Sequence, residues 1–87
     1  MGESEVPAWH EGVQGIVNAH DVPRRFVRAR VPVPVTARVV WEVDGEEHLE
    51  TVATAWTRRL VLVDVSDRRN RITAAWLELA DVRRRHG

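Results

Sequence analysis

"RARVPVPVTARVVWEVDG", residues 28–45, decides how this chain folds. From Val27 onward every odd position is apolar: Val27, Ala29, Val31, Val33, Val35, Ala37, Val39, Trp41 and Val43. Alternation sustained over that length is the mark of a strand with one face turned to a core. Pro32 and Pro34 interrupt its chemistry, because proline has no backbone N–H. In a strand the N–H groups of residues i and i+2 point to the same edge, so the two prolines strip one edge and spare the other. Such a strand keeps its shape and is blunted against intruding strands. Residues 27–34 are therefore expected on a sheet edge, or at a kink where the chain crosses between sheets. Residues 35–43 are expected to pair normally.

Asp44-Gly45 ends the run with a hairpin signal, since both residues tolerate positive φ. A two-residue loop would set Trp41 opposite His48. A three-residue loop with a glycine bulge sets Trp41 opposite Leu49 and Val39 opposite Thr51, which matches apolar to apolar and is preferred. The returning strand is expected over 48–57, a tight turn at "TRRL", a buried strand over 60–65, and an arginine-rich loop over 66–71.

Residues 72–85, "ITAAWLELADVRRR", fit two templates. As a helix over 70–84, Ile72, Ala75, Trp76, Leu79 and Arg83 share a face, which would make the fold α+β. As a strand, Ile72, Ala74 and Trp76 share a face, followed by a short 3₁₀ turn and a last strand. The even spacing of the preceding turns favours the strand.

Composition agrees with a mainly β domain. The chain has 87 residues, 44% hydrophobic and 30% charged, which is one ordinary globular core. Sixteen valines stand against five leucines, and β-branched side chains suit a pleated surface. Residues 27–87 are expected to form the single β domain. Residues 1–26 form an N-terminal arm or short helix, with helix-like spacing from Trp9 to His20 weakened by Gly12 and Gly15. The first residues lack the apolar segment of a secretory signal, so a cytoplasmic location is expected.

Four strands with short loops, then "AWLELADV" as a strand breaking into one helical turn before a terminal strand, resemble an SH3-like small barrel over residues 35–85. The likeness is of fold, without a family motif. It departs from peptide-binding SH3 domains in lacking tyrosine and their Ala-Leu-Tyr-Asp-Tyr stretch. The resemblance implies an adaptor of proteins or nucleic acids.

Catalytic chemistry finds little footing. There is no cysteine, and neither Ser4 nor Ser66 sits in a nucleophile elbow. His10, His20, His48 and His86 are scattered, and a metal site from His20, Asp21, His48 and Glu50 is weaker than the reading of solvated side chains. Glu42, Asp44, Glu46, Glu47 and Glu50 crowd a hairpin tip as like charges. No catalytic residue, metal ligand or cofactor is therefore assigned, and no small-molecule substrate or membrane partner is indicated.

Charge points to binding. Net charge is zero, yet residues 22–38 carry +5 and residues 39–50 carry −5. All thirteen basic residues are arginine, which a GC-rich coding bias explains, although guanidinium forks also suit phosphate and carboxylate. Two partner classes follow. A protein partner or second copy would use Trp9, Arg28, Arg30, Val31 and Val33, the blunted strand and its arm. Nucleic acid would use the loop and tail arginines Arg68, Arg69, Arg71, Arg83, Arg84 and Arg85, if these form one patch. The near-neutral pI of 6.9 favours the protein partner. Trp41, Trp56 and Trp76 sit in apolar patterns and are expected in the core.

Overall fold

The computed structural model describes residues 12–70 and 72–85. They form a mainly β fold, a five-stranded antiparallel sheet: β1 (Val27–Trp41), β2 (Gly45–Trp56), β3 (Leu60–Asp64), β4 (Ala74–Glu78) and β5 (Val82–Arg84), in the order β4-β3-β2-β1-β5. A single 3₁₀ turn, Leu79–Asp81, joins β4 to β5.

The alternation in β1 is realised in its second half, where Val35, Ala37, Val39 and Trp41 are buried between half-buried neighbours. Ala53 of β2, with Val61, Val63, Val65, Ala75 and Leu77 from β3, its following residue and β4, completes the core. Ala75 and Leu77 turn inward. Trp76 is buried without joining that cluster, its ring packed against Phe26 at 5.2 Å. Burial of three consecutive residues is what a strand covered on both faces gives. Each residue from Ala74 to Glu78 pairs with β3, so 74–78 is strand and the helix over 70–84 does not form.

The prolines mark a break. Arg28 pairs with Ala55 and Val33 with Ala53, so residues 29–32 have no partner in the β2 ladder. β2 has its own irregularity at the same place, between Ala53 and Ala55 in the β3 ladder. Paired irregularities of this kind bend a strand and sharpen its twist. The even-numbered residues of β1 face the edge shared with β5: the Pro34 carbonyl accepts from the Arg85 N–H, and the Val40 N–H donates to Asn18 Oδ1. Pro34 therefore withholds its donor from β5, and the ladder of Val35, Thr36 and Ala37 with β5 goes no further.

The hairpin differs from both expected registers. Glu42, Val43 and Asp44 connect the strands, Gly45 takes φ 81°, and Trp41 lies opposite Gly45. Leu49 faces Ala37 instead of Trp41, and Thr51 faces Val35 instead of Val39. The displacement keeps parity, so Leu49 still packs against the core. Matching apolar residues pair by pair misjudged Trp41, whose cover comes from a different loop.

Residues 12–26 form an extended arm with no helix among the described residues. Ile16 bridges to Trp41 and His20 to Trp76, so the arm connects the β1 edge to β4. Asn18 fastens it, donating to the Arg38 carbonyl at 2.9 Å and to Asp81 at 3.1 Å, while accepting from Val40. No described helix is long and apolar enough to cross a membrane.

Candidate functional site: an arginine-rimmed apolar groove

Thr57 builds the turn that carries the site. Its Oγ1 accepts from the backbone N–H of Arg59 at 3.0 Å and of Leu60 at 2.9 Å, and its own N–H donates to the Leu60 carbonyl. A hydroxyl satisfying two turn amides fixes a two-residue loop. Arg58 and Arg59 form that loop and are exposed. The Arg59 carbonyl accepts from the Leu79 N–H, tying the turn to the 3₁₀ segment.

Across from it, Val27 pairs with Trp56. Between arm and turn lies an open groove of about 610 Å³, floored by Phe26, Val27 and Trp56 and rimmed by Arg25, Arg58 and Arg59. Val27 is 58% exposed and Trp56 37% exposed, so the expectation that Trp56 belongs to the core is corrected. It is the last residue of β2, paired with Val27 and Val61 and followed by the turn that carries the exposed Arg58 and Arg59. Arg28 stacks over the Phe26 ring, its guanidinium carbon 5.1 Å from the centroid. Among the described residues, Arg25, Arg28, Arg58 and Arg59 form no ion pair, whereas Arg38, Arg69 and Arg85 all do. A second groove, lined by His20, Pro23, Leu60, Glu78 and Leu79, shares Arg25, Thr57 and Arg59 with the first. In it His20 Nε2 lies 3.1 Å from Glu78.

The residues singled out from the sequence are dispersed. Arg28, Arg30 and Val31 are exposed, with Val31 72% exposed within the ladder break, while Val33 is half-buried against the core. Trp9 and Arg71 lie outside the described residues.

Arg69 is turned inward to Asp67, Asp44 and Glu47, at 2.8, 3.0 and 2.7 Å, and is only 20% exposed. The hydrogen bonds it donates to Asp67 and then to Glu47 raise its pKa further. Arg85 donates to the carbonyls of Val35 and Thr51. Arg68, Arg83 and Arg84 are exposed. Arg69 covers Trp41 and Arg85 holds Val35, which puts them on the order of 20 Å apart along β1. The loop and tail arginines that the described structure places thus do not converge as a single patch.

Nor do His20, His48 and Glu50 converge: they pair separately with Glu78, Glu46 and Arg85. No group of three or more metal-capable side chains occurs among the described residues. The groove escaped sequence reading because Phe26 and Trp56 are thirty residues apart and Arg58-Arg59 resembles any polar turn.

Fold and groove together define a small antiparallel β domain presenting a basic surface with an apolar floor. No family model matches the chain, and neither a curated protein nor a solved structure does.

Proposed function

We propose that this chain is a non-catalytic binding module of the cytoplasm, a small adaptor or accessory protein acting through protein–protein contacts on an SH3-like barrel. The strand order β4-β3-β2-β1-β5, with a 3₁₀ turn between β4 and β5, supports the SH3-like reading. So does the arm, which spans from β1 to β4 and helps enclose the core.

The groove over Trp56 carries the functional reading. Exposed tryptophan beside arginine is the composition of binding hot spots. The neighbouring stretch 29–32, without ladder partners on β2, adds backbone groups that a polypeptide can pair with. Pro32 within it and Pro34 just beyond it limit indiscriminate strand pairing on one edge.

The test is photo-crosslinking from position 58 in the native cell, identification of the attached polypeptide, and rebinding of the two purified proteins. Rebinding that is lost in Trp56→Ala supports the reading. Salt-sensitive micromolar binding of mixed-sequence DNA or RNA, lost when Arg68, Arg83 and Arg84 become glutamate, would replace it with a nucleic-acid function.

A further inference from the structure

We infer that the groove over Trp56 receives an extended acidic segment of a partner polypeptide, with one apolar side chain on Trp56 and carboxylates on the surrounding arginines. This deepens the binding-module reading and rests on it.

Charge complementarity selects the occupant. Arg25, Arg58 and Arg59 line the groove, Arg28 adjoins it, and none is neutralised among the described residues. Four clustered guanidinium groups raise a local positive potential that draws anionic partners. Guanidinium forks pair bidentately with carboxylates, giving direction as well as attraction. Between them Val27 and Trp56 expose the apolar floor. A segment with one apolar residue flanked by acidic ones satisfies rim and floor at once.

Backbone geometry selects an extended chain. Residues 29–32 have no ladder partner on β2, close after the groove residue Val27. By the alternation that turns Pro34 to the β5 edge, the Arg30 N–H faces that edge beyond the Val35–Ala37 ladder with β5, and an added strand would use it. The adjoining groove sets a limit, because Glu78 sits there 3.1 Å from His20 and repels a further carboxylate. Acidic residues of the partner therefore stay on the Trp56 side of Arg25 and Arg59.

A strand of bases fits less well. Stacked bases want successive aromatic platforms. Phe26 already packs against Trp76 and carries Arg28 over its ring, which leaves Trp56 as the exposed indole of this groove.

The experiment is a titration of the full ¹⁵N-labelled chain with the peptide Glu-Glu-Phe-Glu-Glu, its glutamine counterpart Gln-Gln-Phe-Gln-Gln, and a short oligothymidylate. The acidic peptide is expected to shift the Trp56 indole N–H signal saturably. Binding should weaken roughly tenfold or more for the glutamine peptide and for the R58E/R59E double variant, as befits paired guanidinium–carboxylate contacts. Both substitutions fall on an exposed turn, and the double variant's own spectrum checks that it folds. Three results overturn the inference: no shift at Trp56 with millimolar peptide, equal binding of the two peptides, or tighter binding of oligothymidylate. If the peptide fails while an identified protein partner still needs Trp56, the acidic segment is wrong and the binding module stands.

Discussion

The guanidinium of Arg69 lies over the indole of Trp41, 4.1 Å from the ring centroid, while the indole N–H donates to Glu47, which also accepts from Arg69. Arg69 comes from the loop between β3 and β4, and Trp41 ends β1. The pair closes one end of the core with a cation where a second apolar side chain is usual. Gly45, opposite Trp41, adds no side chain on that side of the indole. Asp44, Glu47 and Asp67 hold the guanidinium in place.

Replacing Arg69 with alanine should destabilise the fold by about 2–3 kcal/mol, the usual scale for losing hydrogen bonds to a charged group together with a cation–π contact. Lysine should recover little, because an ammonium cannot reproduce the planar fork shared among three carboxylates. Urea denaturation of the three proteins at neutral pH measures this. Equal midpoints for wild type and Arg69→Lys would show that charge alone matters.

The same cluster predicts an acid-sensitive step. The side-chain hydrogen bond from Arg69, followed by the Arg69 backbone N–H, lowers the Asp67 carboxyl from an ordinary 3.8 to about 2. A carboxyl depressed in the folded state stabilises it above the unfolded pKa, and that contribution is lost as pH falls through the folded value. Stability from Asp67 is thus fully present above about pH 4 and drains away toward pH 2. Denaturant midpoints of wild type and Asp67→Asn should differ at pH 6 and converge toward pH 2. A constant gap across that window would assign the difference to geometry instead of ionisation.

The prolines predict a change in association more than in stability. Pro34 withholds an N–H from the edge that pairs with β5, and by alternation Pro32 does the same two residues earlier. The double variant Pro32→Val, Pro34→Val keeps the strand's shape and restores both donors. It should self-associate at concentrations where the parent does not, because a long alternating edge with its donors restored is a template for another strand. Sedimentation velocity across a concentration series tests this. Identical behaviour of the two proteins would mean that the break at residues 29–32 alone protects the edge.

Much of this fold was legible in one dimension, and for definite reasons. Alternation marked the buried half of β1, Asp44-Gly45 placed the first turn near its true position, and the turn spacing favoured strand, 3₁₀ turn and strand over helix for residues 74–84. What stayed hidden depends on contacts distant in sequence. Asn18 continues the hydrogen bonding of the β1 edge where β5 stops, a role no local pattern announces. Arg69 is one arginine among thirteen until Trp41 is seen beneath it. The groove required Phe26 from the arm and Trp56 from the end of β2 to meet.

Trp56 and Trp76 should separate the surface role from the core role. Trp76 is 5% exposed and packs against Phe26, so Trp76→Ala should cost about 3–5 kcal/mol through lost burial and the cavity left behind. Trp56 is 37% exposed at the end of its strand, and its truncation removes less contact. Trp56→Ala should therefore cost clearly less than Trp76→Ala while abolishing whatever the groove binds. Thermal or urea unfolding of both variants, read beside partner binding, makes the comparison. Equal destabilisation would return Trp56 to the core and leave the arginines around it without an apolar floor to frame.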